Sequence, residues 1–389
     1  MRIWIDMDNS PHVLLFAPLI RELRRNGLDF ILTVRDFSQT RSLAEKHGLE
    51  FTMVGRHCQS SSLTRKVTST LGRAWQLRHM VAKHCVAAAV SHGSRAMILA
   101  ARTLGLPVLT LDDYEYSSVK LQNILSDRIL VPEVIPEARL AAQGLNLQKL
   151  VRYPGLKEEV YVYEFRPDAS VLEKLQLDPR RVIVTVRPPA TWAHYHDALG
   201  DLLFRALLNR LAREPGIQVV VSARTEAQEL ELRQRYGLSS EKFTVSAQAV
   251  DGLSLMWFSD VVFSGGGTMV REAALLGLNV YSFFGGQIAA ADEYLVSQGR
   301  LRLLREPSEI DALPLPSRRT DRPVAPNGRS MAPFIAGEIL RFVRETSGAR
   351  FQQVGNPPQA TTFPERTLEL LDGGALVVEG NSPKQHRSP

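Results

Sequence analysis

The segment 260–286 constrains the fold more than any other part of this sequence. Its β-branched and aromatic run at 261–263 predicts a buried strand, which the three successive glycines Gly265–Gly267 interrupt. Good helix formers then fill the span Thr268–Gly277, where the final glycine favours a helix end. A second apolar run at 280–284 predicts another strand. Strand, glycine loop, short helix and strand together predict a βαβ unit of a parallel sheet.

The glycine loop follows the carboxyl end of its strand, where open α/β sheets bind ligands. Gly265, Gly266 and Gly267 allow a close approach of the backbone, and the free amides of the next helix favour a phosphate. Glu272 lies one turn beyond Thr268 and is a candidate acceptor for the hydroxyls of a ribose. The alternative is structural, because glycines also turn corners and an acidic residue near a helix N-terminus is favourable by itself. The loop alone leaves both interpretations open.

Composition restricts the class of protein. The 389 residues are enough for two domains of ordinary size and an extension. The net charge of +6, from 47 basic and 41 acidic side chains, favours anionic ligands or a membrane surface, but no nucleic-acid-binding motif accompanies it. Cys58 and Cys85 are the only cysteines, which excludes a disulfide framework and a CxxC metal site. No apolar segment has the length of a signal peptide or of a membrane-spanning helix of about 20 residues, so we expect a cytoplasmic protein, at most peripheral to the membrane.

The first half alternates strands and helices from the N-terminus. A strand at 2–6 is followed by Ser10-Pro11, where serine is expected to cap a helix and proline suits its first position. The first loop lacks the GxGxxG pattern, which argues against a dinucleotide site there. The basic segment 56–74 predicts a loop and helix that face an acceptor or an anionic surface, with an ordinary solvated face as the alternative.

Ionisable side chains recur where strands of the first half end. His12 lies in the first turn of the first helix, His92 follows a strand at 87–90, and Asp112 and Glu115 follow a strand at 108–111. Because parallel strands end at the same edge of a sheet, these four residues are candidates for general acid–base catalysis or for contacts with sugar hydroxyls. Loop solvation and helix capping are the alternatives.

The second half repeats the alternation. Its first strand, at 182–186, ends in Arg187, whose planar guanidinium suits a diphosphate, although an ordinary surface arginine is the alternative. Trp192, His194 and Tyr195 follow in the same loop, and Asp251 is expected to cap the helix before the glycine loop. We predict an N-terminal domain at 1–153, a C-terminal domain at 154–345 that ends in a helix from Phe334 to Glu345, and a polar, disordered tail at 346–389.

In this order, the motifs resemble the GT-B superfamily, in particular a family of predicted glycosyltransferases of unknown function. That family is similar to non-hydrolysing UDP-N-acetylglucosamine 2-epimerases and to the transferase that completes the peptidoglycan lipid intermediate. The resemblance extends from Met1 to about Glu345 and rests on these markers: Ile5-Asp6-Met7-Asp8, Pro11-His12, Phe16-Ala17-Pro18, Ser91-His92-Gly93-Ser94, Asp112 with Glu115, Tyr153-Pro154-Gly155-Leu156-Lys157-Glu158, Arg187-Pro188, and Gly265-Gly266-Gly267-Thr268 with Glu272-Ala273.

The resemblance implies an α/β fold with two Rossmann-like α/β/α domains that face each other across a cleft. The second domain would hold a nucleotide-sugar, with the glycine-loop amides at the diphosphate, Glu272 at the ribose and Gln287 near the donor sugar. The first domain would supply the acceptor surface and any base. Neither a metal nor a cofactor is expected, since helix dipoles and arginines stabilise the leaving diphosphate. We interpret the Asp6-Met7-Asp8 motif as a strand end, because it lies in the half that would not hold the donor.

The expected function is the transfer of a sugar, from a UDP-sugar by preference, to a saccharide or lipid-linked acceptor in surface or exported polysaccharide synthesis. The full set of acidic and histidine residues of the epimerases is not found in this sequence. Nucleotide-sugar 2-epimerisation nevertheless stays an alternative. A non-catalytic nucleotide-sugar-binding protein is the other alternative, and the sequence names neither the sugar nor the acceptor.

Overall fold

Each half of the chain builds its own parallel sheet. The computed structural model describes residues 1–354 except 38, 57, 59–61, 117–118, 190–197, 224, 237–241, 247–250, 315–316, 321–322 and 324. Both sheets belong to one compact unit, residues 1–349. Helices alternate with the strands in both halves, which confirms the predicted α/β fold class.

The first sheet has seven strands in the order β3-β2-β1-β4-β5-β6-β7, and every neighbouring pair is parallel. Its strands are β1 (Arg2–Met7), β2 (Asp29–Asp36), β3 (Thr52–Arg56), β4 (Ala89–Ser91), β5 (Val108–Leu111), β6 (Arg128–Pro132) and β7 (Leu150–Tyr153). The helices of this half are α1 (Ser10–Arg25), α2 (Thr40–Lys46), α3 (Leu63–Val81), α4 (Arg95–Thr103), α5 (Lys120–Leu125) and α6 (Glu137–Ala142), and a 3₁₀ turn lies at Leu147–Lys149.

The second sheet has six parallel strands in the order β10-β9-β8-β11-β12-β13. Its strands are β8 (Val182–Arg187), β9 (Ile217–Ser222), β10 (Phe243–Ser246), β11 (Val261–Ser264), β12 (Asn279–Ser282) and β13 (Arg302–Leu303). The helices are α7 (Ser170–Lys174), α8 (Ala198–Arg213), α9 (Glu226–Tyr236), α10 (Gly252–Phe258), α11 (Thr268–Leu275), α12 (Ala290–Ser297), α13 (Pro307–Asp311) and α14 (Ala332–Val354). Two 3₁₀ turns, Lys157–Val160 and Val162–Glu164, connect the halves.

The strand order reverses once in each sheet, between β1 and β4 in the first and between β8 and β11 in the second. Loops diverge to opposite faces at such a point, which leaves a crevice outside the carboxyl ends of the strands. The glycine loop follows β11, His12 lies in the first turn of α1 after β1, and His92 lies in the loop after β4. These residues selected from sequence therefore lie at the two reversal points.

Burial on both faces explains why the central strands are almost continuously apolar. In β1, every residue from Ile3 to Met7 is buried, and the only charged one among them is Asp6. Residues of both halves share one apolar cluster, in which Leu19 of α1 and Val270 of α11 both take part. Each large side chain buried in this way contributes about 1.5–3 kcal/mol.

Several boundaries differ from the predictions. The cap of α1 is Asn9, whose side chain accepts a 2.9 Å hydrogen bond from the amide of Ser10, so Ser10 already lies in the helix. Asp251 caps α10 as predicted, through the amide of Ser254 at 3.2 Å. The strands β3 and β7 were not predicted, because neither has a long apolar run.

The helix α14 continues to Val354, past the predicted end at Glu345. It follows the second half in sequence but contacts the first, because Arg128 of β6 donates to Glu345 at 2.8 Å and lies 5.5 Å from the ring centre of Phe342. Among the helices in the described part of the chain, none is long and apolar enough to cross a membrane.

Candidate active site between the two sheets

His12, in the first turn of α1, and His92, in the loop after β4, are brought together at the first reversal point. Their ring centres are 4.8 Å apart. His12 Nδ1 lies 3.0 Å from Asp8 Oδ1, and His92 Nε2 lies 3.0 Å from Asp113 Oδ1. Burial lowers the pKa of His92 to about 4, so this imidazole is neutral at pH 7 and faces Asp113 as a polar neighbour rather than as a cation.

Asp112 and Asp113 follow β5 directly and have opposite electrostatic environments. Burial, together with the charge of Asp113, raises the pKa of Asp112 to about 7. Burial also acts to raise the pKa of Asp113, but Lys157, joined by His92 and Arg271, outweighs it and holds that pKa well below the ordinary value. Two adjacent carboxyls with separated pKa values divide into a fixed anion and a group that exchanges its proton near neutral pH. The predicted site residue Asp112 is the second kind.

Asp113 is the centre of a buried ionic cluster, formed by Asp113, Lys157, Glu158, Arg271 and Asp292. Its Oδ2 lies 2.7 Å from Lys157 Nζ and 3.0 Å from Arg271 Nη1. Arg271 Nε donates to Asp292 Oδ1 at 2.7 Å. The side chains of the five residues are at most 11% exposed. The cluster joins the end of β5 to α11 and α12, and so links the two halves of the chain.

Within the ionic cluster, Glu158 is the residue with the weakest compensation. Its Oε1 lies 3.7 Å from both Lys157 Nζ and Arg271 Nη1, and neither carboxyl oxygen has a hydrogen-bond partner among the described residues. Burial raises the pKa of Glu158, although the two cations oppose this. An uncompensated buried carboxylate costs free energy, and such groups concentrate at functional sites.

Sequence analysis did not select the members of the ionic cluster as site residues. Lys157 and Glu158 belong to a marker of the family resemblance but received no role, and Asp113 was passed over beside Asp112. Arg271 is the clearest missed signal, because an arginine beside Val270, in a short helix that continues with small and apolar residues after Glu272, requires a buried partner.

The glycine loop connects β11 to α11 with backbone angles that favour glycine. Gly266 and Gly267 have φ values of +94° and +89°. A Cβ at Gly265 would approach Pro189 Cα to 3.1 Å, whereas one at Gly267 would meet no atom within 4 Å. Gly267 precedes the first turn of α11, where no side chain caps the amides. These amides and the helix dipole are suited to an anion.

Glu272 points from α11 to the segment that joins the halves. The Tyr161 hydroxyl donates to Glu272 Oε1 at 2.7 Å. Burial raises the pKa of Glu272 to about 7, with a further contribution from the charge of Glu158, although the hydrogen bond from Tyr161 opposes the shift. Glu272 is thus a buried acceptor that is partly ionised at neutral pH, oriented by a tyrosine that sequence analysis did not select.

Four other predicted site residues lie outside the ionic cluster. Arg187 Nη1 donates to the carbonyl of Ser222 at 2.8 Å and to that of Ala223 at 3.1 Å, beyond the end of β9. Glu115 Oε1 accepts from Ala290 N, the first residue of α12, at 2.7 Å. Gln287 is exposed in the loop between β12 and α12, and Thr268 is half-buried at the start of α11.

Glu115 also accepts a 3.1 Å hydrogen bond from Arg139, which in turn binds Glu293 of α12 at 2.7 Å. Its side chain is 0% exposed. Through these contacts Glu115 connects the two halves, and its Oε1 accepts hydrogen bonds from two donors.

Asp6 of the Asp6-Met7-Asp8 motif is a structural anion. Arg73 binds its two carboxyl oxygens at 2.8 and 2.9 Å, and Thr33 and Ser94 each donate to it at 2.6 Å. Within the described ranges, no three His, Cys, Asp or Glu residues are grouped so as to hold a metal ion. The loop residues Trp192, His194 and Tyr195, together with Arg224 and His57, lie outside the described residues, as does most of the predicted tail.

Comparisons with known proteins agree with this architecture. At 14% identity, the chain is similar to the UDP-GlcNAc 2-epimerase of Neisseria meningitidis, a structure bound to UDP-GlcNAc, with a TM-score of 0.67 over 88% of this chain and 100% of that one. The glycotransferase of kitacinnamycin matches with a TM-score of 0.52 and 14% identity over 90% of this chain and 98% of that one. These likenesses confirm the two-domain GT-B fold that the sequence motifs resembled.

An uncharacterized protein of Methanocaldococcus jannaschii is 26% identical over 314 residues, which are 79% of this chain and 89% of that protein. A family model described as "Protein of unknown function (DUF354)" matches residues 1–314. Because the match includes the whole first half and the second up to α13, the chain belongs to this family of unknown function.

Proposed function

We propose that this protein transfers a sugar from a nucleotide diphosphate donor, by preference a UDP-sugar, to an acceptor in surface or exported polysaccharide synthesis. The observation that supports it is the presence of two buried carboxyls with pKa values of about 7, Glu272 behind the glycine loop and Asp112 after β5. The ionic cluster connects the two places.

The donor would bind at the second reversal point. The uncapped amides of α11 behind Gly267 would meet the diphosphate, and Glu272, held by Tyr161, would accept hydrogen bonds from the ribose. Gln287, exposed beyond β12, would contact the donor sugar. The guanidinium of Arg187 is engaged with carbonyls at the end of β9, so it would stiffen the wall of this site and add positive charge near the diphosphate.

The acceptor would bind on the side of the first half. Displacement at the anomeric carbon requires removal of a proton from the acceptor hydroxyl, and a base with a pKa near 7 suits this step. Asp112 meets that condition. The neutral His92 and its neighbour His12 would contact the sugar hydroxyls, and Glu115 would hold the two halves in place rather than react. The acceptor is a saccharide or a lipid-linked saccharide reached at the inner face of the membrane.

The departing diphosphate would leave toward positive groups. The helix dipole of α11 points its positive end at the glycine loop, whereas Lys157 and Arg271 behind it are paired with Asp113 and Asp292. This arrangement supports displacement without a metal ion, as the GT-B resemblance implies.

Isothermal titration calorimetry against UDP, GDP, dTDP and CMP tests the proposal. We expect binding of UDP, with a smaller heat for the other nucleotides. A chain that binds none of the four would contradict the proposal at its first step.

Nucleotide-sugar 2-epimerisation is the second candidate, because the similarity to the N. meningitidis UDP-GlcNAc 2-epimerase has the higher of the two TM-scores, 0.67 against 0.52. The two reactions differ in whether the proton at C2 of the sugar exchanges with solvent. Incubation of the protein with UDP-GlcNAc in D₂O without acceptor distinguishes them. Deuterium at C2 favours epimerisation, and its absence together with transfer to an added acceptor favours the transferase.

A further inference from the structure

The helix α3 presents an apolar ridge to solvent. Leu63, Val67, Leu71 and Trp75 are 76%, 49%, 54% and 61% exposed. They follow one another at intervals of four residues, so neighbouring side chains touch along the helix surface. Trp75 also stacks near His79, with ring centres 4.3 Å apart. Four of the eleven large hydrophobic side chains exposed in the described part of the chain therefore form one continuous ridge.

The opposite face of α3 is fixed to the first sheet. Arg73 forms a bidentate ion pair with Asp6 at 2.8 and 2.9 Å and donates to the carbonyl of Val54 at 2.9 Å. The guanidinium is 5% exposed and the carboxylate 0%. Rotating the ridge inward would break this buried pair, so the apolar residues stay at the surface while the helix is folded.

The sequence segment that contains α3 carries charges of one sign, although Arg56, Arg73 and Arg102 in it pair with acids from outside the segment. No Asp or Glu occurs from residue 51 to residue 111, a segment bounded by Glu50 and Asp112. The same segment contains eight basic residues, Arg56, Arg65, Lys66, Arg73, Arg78, Lys83, Arg95 and Arg102. Since the whole chain has a net charge of +6, the residues outside the segment sum to −2 (6 minus 8). Arg65, Arg78 and Lys83 are exposed on or just beyond α3.

We propose that this ridge of α3 is a docking surface for an anionic lipid bilayer. A helix with leucine, valine and tryptophan on one face, and arginine and lysine beside them, matches the chemistry of an interfacial helix, in which the apolar side chains enter the acyl boundary and the cations meet lipid phosphates. Tryptophan favours the headgroup level in particular. An unbroken apolar ridge fits lipid better than nucleic acid, whose contacts need cations in the centre of the surface. This inference deepens the proposed function, in which the acceptor is reached at the inner face of the membrane. Only the biological purpose of the docking surface rests on that function.

Flotation of the full-length protein with vesicles of phosphatidylcholine, alone or mixed with phosphatidylglycerol, tests this. We expect binding to the anionic vesicles only. The double substitution Leu71→Ser with Trp75→Ser should weaken it at least about tenfold, given the apolar area removed from the interface. The matched control, Leu202→Ser with Leu230→Ser, changes two equally exposed apolar residues of α8 and α9 and should bind like the wild type.

Two further measurements distinguish charge attraction from insertion of the apolar side chains. Arg78→Glu with Lys83→Glu should lower binding and its sensitivity to salt, because charge attraction to the surface is screened by ions. The emission of Trp75, obtained as the difference between wild type and Trp75→Phe, should shift to shorter wavelength with anionic vesicles. Trp4 and Trp257 are buried and should contribute little to that difference.

Failure to float with anionic vesicles, equal flotation with neutral ones, or unchanged flotation of the Leu71/Trp75 variant would overturn the inference. The inference would also be overturned if the wild type bound an oligonucleotide duplex but no vesicles, and if the Leu71/Trp75 variant lost that duplex binding. The Leu71/Trp75 variant should still bind UDP like the wild type, because the ridge lies outside the proposed donor site. A protein that floats but binds no nucleotide would contradict the proposed function and leave the docking surface intact.

Discussion

The hydroxyl of Tyr161 donates a 2.7 Å hydrogen bond to Oε1 of Glu272, and both side chains are buried. Tyr161 comes from the segment that joins the two halves, whereas Glu272 comes from α11 behind the glycine loop. The bond therefore joins the carboxyl group of a helix in the second half to the segment that connects the halves.

Replacing Glu272 with alanine should weaken the binding of UDP by about 10- to 100-fold, because hydrogen bonds to a charged group are worth about 1.5–3 kcal/mol. Calorimetric titration measures the change, and circular dichroism checks the fold. Tyr161→Phe is the matched control, since it keeps the carboxylate and should cost less. An affinity unchanged in Glu272→Ala would leave Glu272 as a partner of the helix dipole only.

The affinity for UDP should also depend on pH. The pKa of Glu272 is about 7 in the free protein, and ribose hydroxyls donate better to the ionised carboxylate. Binding should therefore strengthen as the pH rises from 6 to 8 and release a proton near pH 7. Titrations in buffers of different ionisation enthalpy measure that proton. Glu272→Gln should remove it, and a flat profile in the wild type would contradict the assignment.

The sequence was sufficient for the α/β fold class, although it did not indicate the strands β3 and β7. The β-branched runs and the glycine loop indicated parallel α/β units, and the residues at the ends of the strands converge in the structure because both sheets reverse their order there. His12 and His92 lie near one another, with ring centres 4.8 Å apart, and Asp113, the neighbour of the selected Asp112, lies 3.0 Å from His92.

The sequence did not indicate which distant segments are joined by ion pairs and hydrogen bonds. Nothing local indicates that Lys157 binds Asp113, or that Glu115 accepts from the first amide of α12, because these contacts depend on how two domains meet. Arg187 is a second residue whose long-range contacts the sequence did not indicate. A strand-end arginine suggested a ligand contact, and the sequence did not indicate that its Nη1 also donates to the carbonyls of Ser222 and Ala223.

Replacing Asp112 with asparagine should reduce the rate of sugar transfer by about 10²–10⁴-fold while leaving UDP affinity nearly unchanged, since the residue would act as the base. In the wild type, the rate should rise with pH through about 7, as Asp112 loses its proton. Steady-state kinetics across pH 5.5–8.5 would measure both effects. A variant with a normal rate, or a rate that falls over this range, would exclude Asp112 as the base.

Asp113 and Glu158 should have opposite effects on stability, although both are buried carboxylates of the ionic cluster. Asp113→Asn leaves Lys157 and Arg271 without their main partner and should lower the free energy of unfolding by about 3–5 kcal/mol at pH 7. Glu158→Gln removes a carboxylate that burial disfavours, so we expect a change below about 1 kcal/mol or a gain.

Urea unfolding at pH 7 measures both variants. Because the folded pKa of Asp113 lies below its unfolded value of about 3.9, its contribution is complete above that value and is lost as the pH falls further. The difference between wild type and Asp113→Asn should therefore shrink in acid. Equal losses in Asp113→Asn and Glu158→Gln would contradict the distinct environments of the two groups.

His92 should make the folded state sensitive to mild acid. Its pKa is about 4 when folded and about 6.5 when unfolded, so between these values the unfolded chain binds a proton that the folded chain does not. The contribution of His92 to the free energy of unfolding should then decline by on the order of 3 kcal/mol as the pH falls from 6.5 to 4, and stay level below 4.

The raised pKa values of Asp112 and Glu272 act in the opposite direction, so the test is the difference between wild type and His92→Gln, measured by urea unfolding at pH 7.5 and 4.5. The wild type should lose more stability than His92→Gln on acidification, whereas a glutamine in place of the exposed His79 should follow the wild type. If His92→Gln loses as much as the wild type, the imidazole accepts its proton in the folded state and contacts Asp113 as a cation.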